Sequence, residues 1–271
     1  MKGTSLAVSR EGEFTILTLD RPAVGNALSA ALVEELDAAL AAAEADGSRL
    51  VVIQGAGKSL CTGFDLSGLD AESEDSLLAR FVRLELLLQR LHTAPFATLA
   101  LAKGRVVGAG ADLFAACEYR WIVDHASFAF PGAGFGLVLG TGRLAKLVGA
   151  SRAREWICSG RVISAEEATS GGLANDRKWG AEIGEAQERL LQQQLRLEPE
   201  THRRVRAASL ERDSFGAAAA DMLALVQSAA RPGLKERIFR YRAQAIRERQ
   251  ASQENTDAKS SRKPSLHLRE G

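Results

Sequence analysis

Two stretches decide the fold: Gly55-Ala-Gly-Lys-Ser-Leu-Cys-Thr-Gly-Phe-Asp-Leu66 and Lys103-Gly-Arg-Val-Val-Gly-Ala-Gly-Ala-Asp-Leu113. Each follows a short apolar run, Leu50–Gln54 and Ala97–Ala102, that reads as a buried strand. The second opens a helix over Ala111–Cys117, and the first carries Gly63-Phe64-Asp65 ahead of a polar loop. A tight glycine turn whose backbone N–H groups face outward is a site for negative charge, more so at a helix N-terminus. Two such turns facing one point make an oxyanion hole for a thioester enolate. Gly108-Ala109-Gly110 equally suits a helix packed closely on a strand, and these residues alone do not separate the two readings. Gly-Lys-Ser/Thr at P-loop spacing is missing, as is the third glycine of a dinucleotide fingerprint.

Working outward, Glu13–Asp20 places Phe14, Ile16, Leu17 and Leu19 in a half-buried strand that Arg21-Pro22 ends. Ser29 is placed to cap a helix burying Leu32, Val33, Leu36 and Leu40, which Gly47 stops. Ser73–His92 reads as an amphipathic helix along Leu77, Phe81, Leu84, Leu88 and Leu91. Tyr119–Val123 and Ser127–Phe130 read as short strands; from Glu182 to Gln250 the pattern is helical throughout. Ala251–Gly271 is polar and aperiodic and is expected to be disordered. The class is α/β with a helical C-terminal subdomain.

Hydrophobic residues are 46%, charged residues 25% and the formal net charge +1, which gives no ground for wholesale binding of nucleic acid or an anionic membrane. No apolar run approaches the ~18 residues of a membrane span. Met1–Leu6 has one Lys and no signal-like apolar core. Cys61, Cys117 and Cys158 are scattered, without disulfide or metal-ligand spacing. A cytoplasmic protein with reduced thiols and no metal is expected.

Arg21-Pro22…Asn26-Ala27-Leu28-Ser29, Val52–Leu66, Gly104–Leu113, Phe128-Ala-Phe-Pro131, Gly136–Gly142, and downstream Leu147–Ala153, Gly160–Ala168 and Gly172–Asn175 run in one order. In that order and spacing the chain resembles the enoyl-CoA hydratase/isomerase (crotonase) superfamily over roughly residues 5–180. The resemblance implies a spiral of ββα units over 1–195, a helical trimerisation region over 196–250 and a tail over 251–271. It implies a homotrimer or a dimer of trimers. It also implies an acyl-CoA substrate, with coenzyme A part of that substrate and no tightly bound cofactor. The thioester oxygen would be held by the N–H groups of Phe64 and Ala109. Coenzyme A would run past Asn26, Ala27 and Leu28 and past Lys58, Leu60 and Thr62. A cation within Lys235–Arg240 could meet its phosphates, although a solvated helix face is the plainer expectation there.

The family's hydratases aim two glutamates at one water. The first position holds Asp112 here, shorter by one methylene, and the second, after Pro131, holds Gly132. A retraction of about 1 Å can cost on the order of a hundredfold, and loss of one partner ~10²–10⁴. Asp112 is therefore the catalytic candidate, and hydratase activity is expected to be poor or absent. Asp65 is expected to order its own loop, Glu85 to face solvent, and His125 to lie on the surface. Two readings remain: an enzyme of enolate chemistry (isomerisation, decarboxylation, thioester hydrolysis or slow hydration), or a CoA-binding scaffold that has lost catalysis.

Overall fold

The computed structural model describes residues 4–210 and 214–260. Strands β1 (Leu6–Glu11) and β2 (Phe14–Leu19) form an antiparallel hairpin, with Glu11 paired to Phe14 across the Gly12-Glu13 turn. Helix α1 (Ala30–Ala45) then leads to β3 (Leu50–Gly55), and α2 (Glu74–Thr93) to β4 (Ala97–Val107). Helix α3 (Ala109–Ala116) leads to β5 (Tyr119–Ala129). Three helices, α4 (Thr141–Val148), α5 (Ala150–Ser159) and α6 (Ala165–Ser170), precede the short β6 (Asp176–Lys178). The six strands lie in chain order in one sheet, parallel from β2 onward. Helices α7 (Ile183–Leu195), α8 (Pro199–Ser209), α9 (Ser214–Ala229) and α10 (Leu234–Ser260) follow and end the described residues.

Both sheet faces are covered, as parallel strands require. Leu17 and Leu19 are fully buried on the face carrying α1–α3. Phe14 and Ile16 pack on the other face with Leu50, Val52, Leu99, Trp121 and, from α7, Ala186 and Leu190. Ser29 and Ser73 cap α1 and α2, accepting from the N–H groups of Leu32 and Ser76.

Four expectations change. β1 went unforeseen because only Leu6 in it is buried, leaving no alternation to read. β4 runs through Lys103-Gly104 to Val107, with a register shift between Ala102 and Gly104 that accommodates the glycine. β5 is one strand, kinked at Asp124 (φ 54), where the sequence reads as a break. Helix α10 continues to Ser260, into the stretch read as disordered. Half of residues 251–260 are Ala, Gln, Glu or Lys, helix formers that carry no apolar period to read. Residues 261–271 lie outside the described residues.

The last helices return to the core. Leu225, Ala229, Leu234 and Ile238 are buried in the same cluster as the sheet's helical face. Arg237 donates to the carbonyls of Phe135, Ser228, Arg231 and Pro232, and Lys235 to those of Asp70 and Glu72. These contacts fasten the start of α10 across the two loops that flank the site.

Candidate active site

Local hydrogen bonding fixes the first glycine turn. The Leu60 N–H donates to Lys103 O (2.9 Å) and Val107 N–H to Cys61 O (3.1 Å), laying this segment along β4. On its other side Thr62 N–H reaches Gly25 O, Leu28 N–H reaches Gly63 O and Asp65 N–H reaches Leu28 O. Residues 60–65 are thus held between two strips of backbone. Asn26, at φ 56 and fully buried, donates to Ala56 O (2.9 Å) and Ser59 O (2.8 Å) and accepts from Arg21 N–H (2.9 Å). Asp65 accepts from Ser67 N–H (2.9 Å) and pairs with Arg21 (2.8 Å). Burial opposes its ionisation, but the Ser67 and Arg21 bonds outweigh that and lower its pKa. Asp65 orders the loop.

The second turn begins at Gly108 (φ 52), whose N–H donates to Ala129 O (2.8 Å). Ala109 is the first residue of α3, a helix buried along its whole length. Glycine is needed for packing as well as for shape. A β-carbon on Gly110 would lie 2.8 Å from that of Cys61, and one on Gly63 (φ 108) would lie 2.8 Å from Val107 O. The latter would also be 3.8 Å from Ala109 N, so the two turns meet. Neither Phe64 N–H nor Ala109 N–H makes a backbone hydrogen bond among the described residues.

Phe64 and Ala109 line one cavity of about 460 Å³, together with Thr62, Asp112 and Gly132. Its apolar wall includes Leu66, Phe81, Phe130, Leu137 and Ile157. A larger groove of about 970 Å³, between α1, α2 and α8, contains none of these groups. Asp112, 6% exposed, is the one carboxyl among the described lining residues. Burial pushes its pKa up to about 8; Arg143 opposes the rise, and Glu85 and Asp221 add to it. At neutral pH its protonated form is therefore favoured.

Glu85 does not face solvent. It is fully buried and accepts two hydrogen bonds from Arg143, at 2.8 and 2.6 Å. Phe81, Glu85 and Leu88 are spaced to share one helix face, so the register carries Glu85 inward, where Arg143 compensates its charge. Asp221, on α9, joins the pair at 3.5 Å. His125 is exposed, with its ring 6.1 Å from that of Trp179.

The model of the Enoyl-CoA hydratase/isomerase family matches residues 10–230. The chain belongs to this family. A probable enoyl-CoA hydratase of Mycobacterium tuberculosis is 35% identical over 178 residues, covering 62% of this chain and 71% of that protein. One from Bacillus subtilis is 34% identical over 182 residues, covering 65% and 69%. A solved structure from Bordetella parapertussis, named for the same hydratase/isomerase family, is 40% identical with a TM-score of 0.85, covering 89% of this chain and 99% of that one. The enoyl-CoA hydratase of Bacillus halodurans, at 20% identity and TM-score 0.77, shares the fold.

Of the positions at which family resemblance implies contact with coenzyme A, Thr62 lines the cavity, Lys58 is exposed, and Leu28 and Leu60 are fully buried. Asn26 spends its side chain on the loop, and Ala27 is buried. Leu28 and Leu60 hold the loop instead: Leu28 exchanges backbone hydrogen bonds with Gly63 and Asp65, and Leu60 N–H donates to Lys103 O. Lys235 and Arg237 are half-buried and donate to backbone carbonyls, and Arg240 is exposed. Sequence reading missed Arg105, Tyr241 and Arg242, which also line the cavity. Arg105 lies three residues before Gly108 and was legible as a neighbour of the turn; the α10 residues arrive only through the long-range fold. Among the described residues no His, Cys, Asp and Glu side chains gather in threes as a metal would need, and no helix is long and apolar enough to cross a membrane.

Proposed function

We propose that this family member binds an acyl-CoA thioester in the 460 Å³ cavity and stabilises its enolate between the N–H groups of Phe64 and Ala109. The observation that carries this reading is the meeting, on a single largely apolar cavity, of one buried carboxyl and two turn residues whose N–H groups make no backbone hydrogen bond among the described residues. Two donors preorganised toward a developing oxyanion typically contribute 10²–10³ each in rate. Asp112 moves the proton at the α-carbon, and Gly132 leaves the second acid/base position empty of chemistry. Coenzyme A runs past the segment Asn26, Ala27 and Leu28 and past Lys58, Leu60 and Thr62, with the exposed Arg105 and Arg242 available to its phosphates. It enters as part of the substrate, and no further cofactor is required. The working form is a homotrimer or a dimer of such trimers, in the cytoplasm.

A protonated Asp112 favours reactions that need an acid at an enolate, such as the step after loss of carbon dioxide from a malonyl-type thioester, over hydration, which needs a base on water as well. The missing second acid also favours a CoA-binding scaffold as the alternative. A panel separates these: crotonyl-CoA, a 3-enoyl-CoA and a malonyl-type thioester, assayed alongside calorimetric binding, with Asp112→Ala as control. Turnover lost in Asp112→Ala, with hydration the weakest activity, is expected. Hydration that Asp112→Ala leaves untouched would refute the role of Asp112, and binding with no turnover of any thioester would establish the scaffold.

A further inference from the structure

Asp112 sits where four helices meet. α3 packs against α2 and α4, and α9 packs against both of those. From α2 come Glu85, Gln89 and His92; from α4, Arg143 and Lys146; from α9, Asp221. Arg143 is 5% exposed and gives both terminal nitrogens to Glu85, with Asp221 taking a longer share at 3.5 Å. Gln89 donates to Glu85 (2.9 Å) and to Ala218 O (3.0 Å), fixing the glutamate from behind. Asp221 is fixed in turn by the N–H of Gly142 (3.2 Å). The Asp112 carboxyl lies against Gly140, where a β-carbon would be 3.1 Å from its Cγ, and no Arg143 hydrogen bond to it is present among the described residues.

One buried guanidinium thus faces three carboxyls and is committed to the one that grips it in two places. Bidentate pairing is the strongest use of its charge. A buried carboxyl ionises readily only when a cation or several donors share the charge. His92 adds no charge to this set, since burial and the neighbouring Arg143, Arg206 and Lys146 push its pKa down to about 4. Lys146 lies at the exposed edge of α4. We propose that Glu85, assisted by Asp221, is a positioning residue for Asp112: by engaging Arg143 it denies Asp112 a counter-ion and reserves it as a proton donor. This rests on Asp112 being the proton-transfer group, and it assigns a purpose to a buried ion pair that is not part of the cavity lining.

The test needs no substrate. With ¹³C-labelled aspartate, the Asp112 carboxyl resonance, identified by its loss in Asp112→Asn, is titrated in the full chain. Glu85→Gln keeps shape but frees Arg143, so the Asp112 midpoint falls by about one pH unit or more, a tenfold change in its acid dissociation constant. Asp221→Asn moves it the same way by less. The paired Glu85→Leu/Arg143→Leu removes the cation together with the carboxylate that holds it and leaves Asp221, so the midpoint does not fall; it also serves if Glu85→Gln does not fold, because apolar replacement of a buried pair is commonly tolerated. Midpoints that coincide in parent, Glu85→Gln and Asp221→Asn would overturn the proposal. A shifted midpoint in a protein that turns over no thioester would leave the Glu85 assignment standing while refuting the enzymatic reading.

Discussion

Gly132→Glu should create hydratase activity. Gly132 lines the cavity that holds Asp112, and its backbone lies outside the left-handed region that favours glycine. A β-carbon there would meet only Leu137 O at 3.5 Å and Leu137 Cβ at 3.9 Å, ordinary contacts, so the new side chain starts without a collision. Hydration needs one group to activate water and another to protonate the α-carbon, and a general acid/base contributes ~10²–10⁴. Supplying the second group should therefore raise crotonyl-CoA hydration about 10²–10⁴-fold, equivalent to roughly 3–5 kcal/mol of barrier. The assay is the loss of ultraviolet absorbance of the conjugated thioester, with circular dichroism and thioester affinity checked in parallel. Adding Asp112→Asn to Gly132→Glu should abolish the gain. A folded Gly132→Glu that binds thioester as well as the parent but hydrates no faster would refute the claim that the missing carboxyl limits hydration.

Ala109→Pro removes one oxyanion donor at the first helical position, where proline is tolerated; kcat/KM for any thioester that turns over should fall about 10²–10³-fold with helicity unchanged. Asp112→Asn should flatten the pH dependence of stability. With a native pKa of about 8 against an ordinary value near ~4, the native chain holds a proton that the unfolded chain has lost between those values, so stability falls as pH rises across that window. The variant's Tm should therefore exceed the parent's at pH 8 and above, and calorimetric scans across the window check this. Asn26→Gly should cost roughly 1–3 kcal/mol in urea unfolding through lost buried hydrogen bonds. Asn26→Ala should cost about 1–2 kcal/mol more than Asn26→Gly because alanine must also adopt φ 56.

What could be read from the sequence was local. The serine caps at Ser29 and Ser73, the buried runs of β3 and β4 and the loop-ordering role of Asp65 follow from residues a few positions apart. Phe64 and Ala109 were legible as turn residues, but their meeting depends on segment 60–65 lying between residues 25–28 and β4. Glu85 was misjudged because its compensation comes from Arg143, 58 residues away, although its spacing from Phe81 and Leu88 already placed it on the buried face. Asp221, Tyr241 and Arg242 had no local signal; α9 and α10 bring them in by folding back over α2, α4 and the loop at 131–135. Burial sets the shift at Asp112 and charge partners distant along the chain adjust it, and periodicity does not register those partners.

The central claim, enolate formation in the Phe64–Ala109 hole by Asp112, is tested most directly by deuterium wash-in. A saturated acyl-CoA incubated with the protein in D₂O is followed by mass spectrometry for label at the α-carbon, a readout independent of which reaction the substrate undergoes. Exchange should rise as pH passes through about 8, where Asp112 becomes a base, and should vanish in Asp112→Ala. Bound thioester with no exchange, or exchange that survives Asp112→Ala, would contradict it.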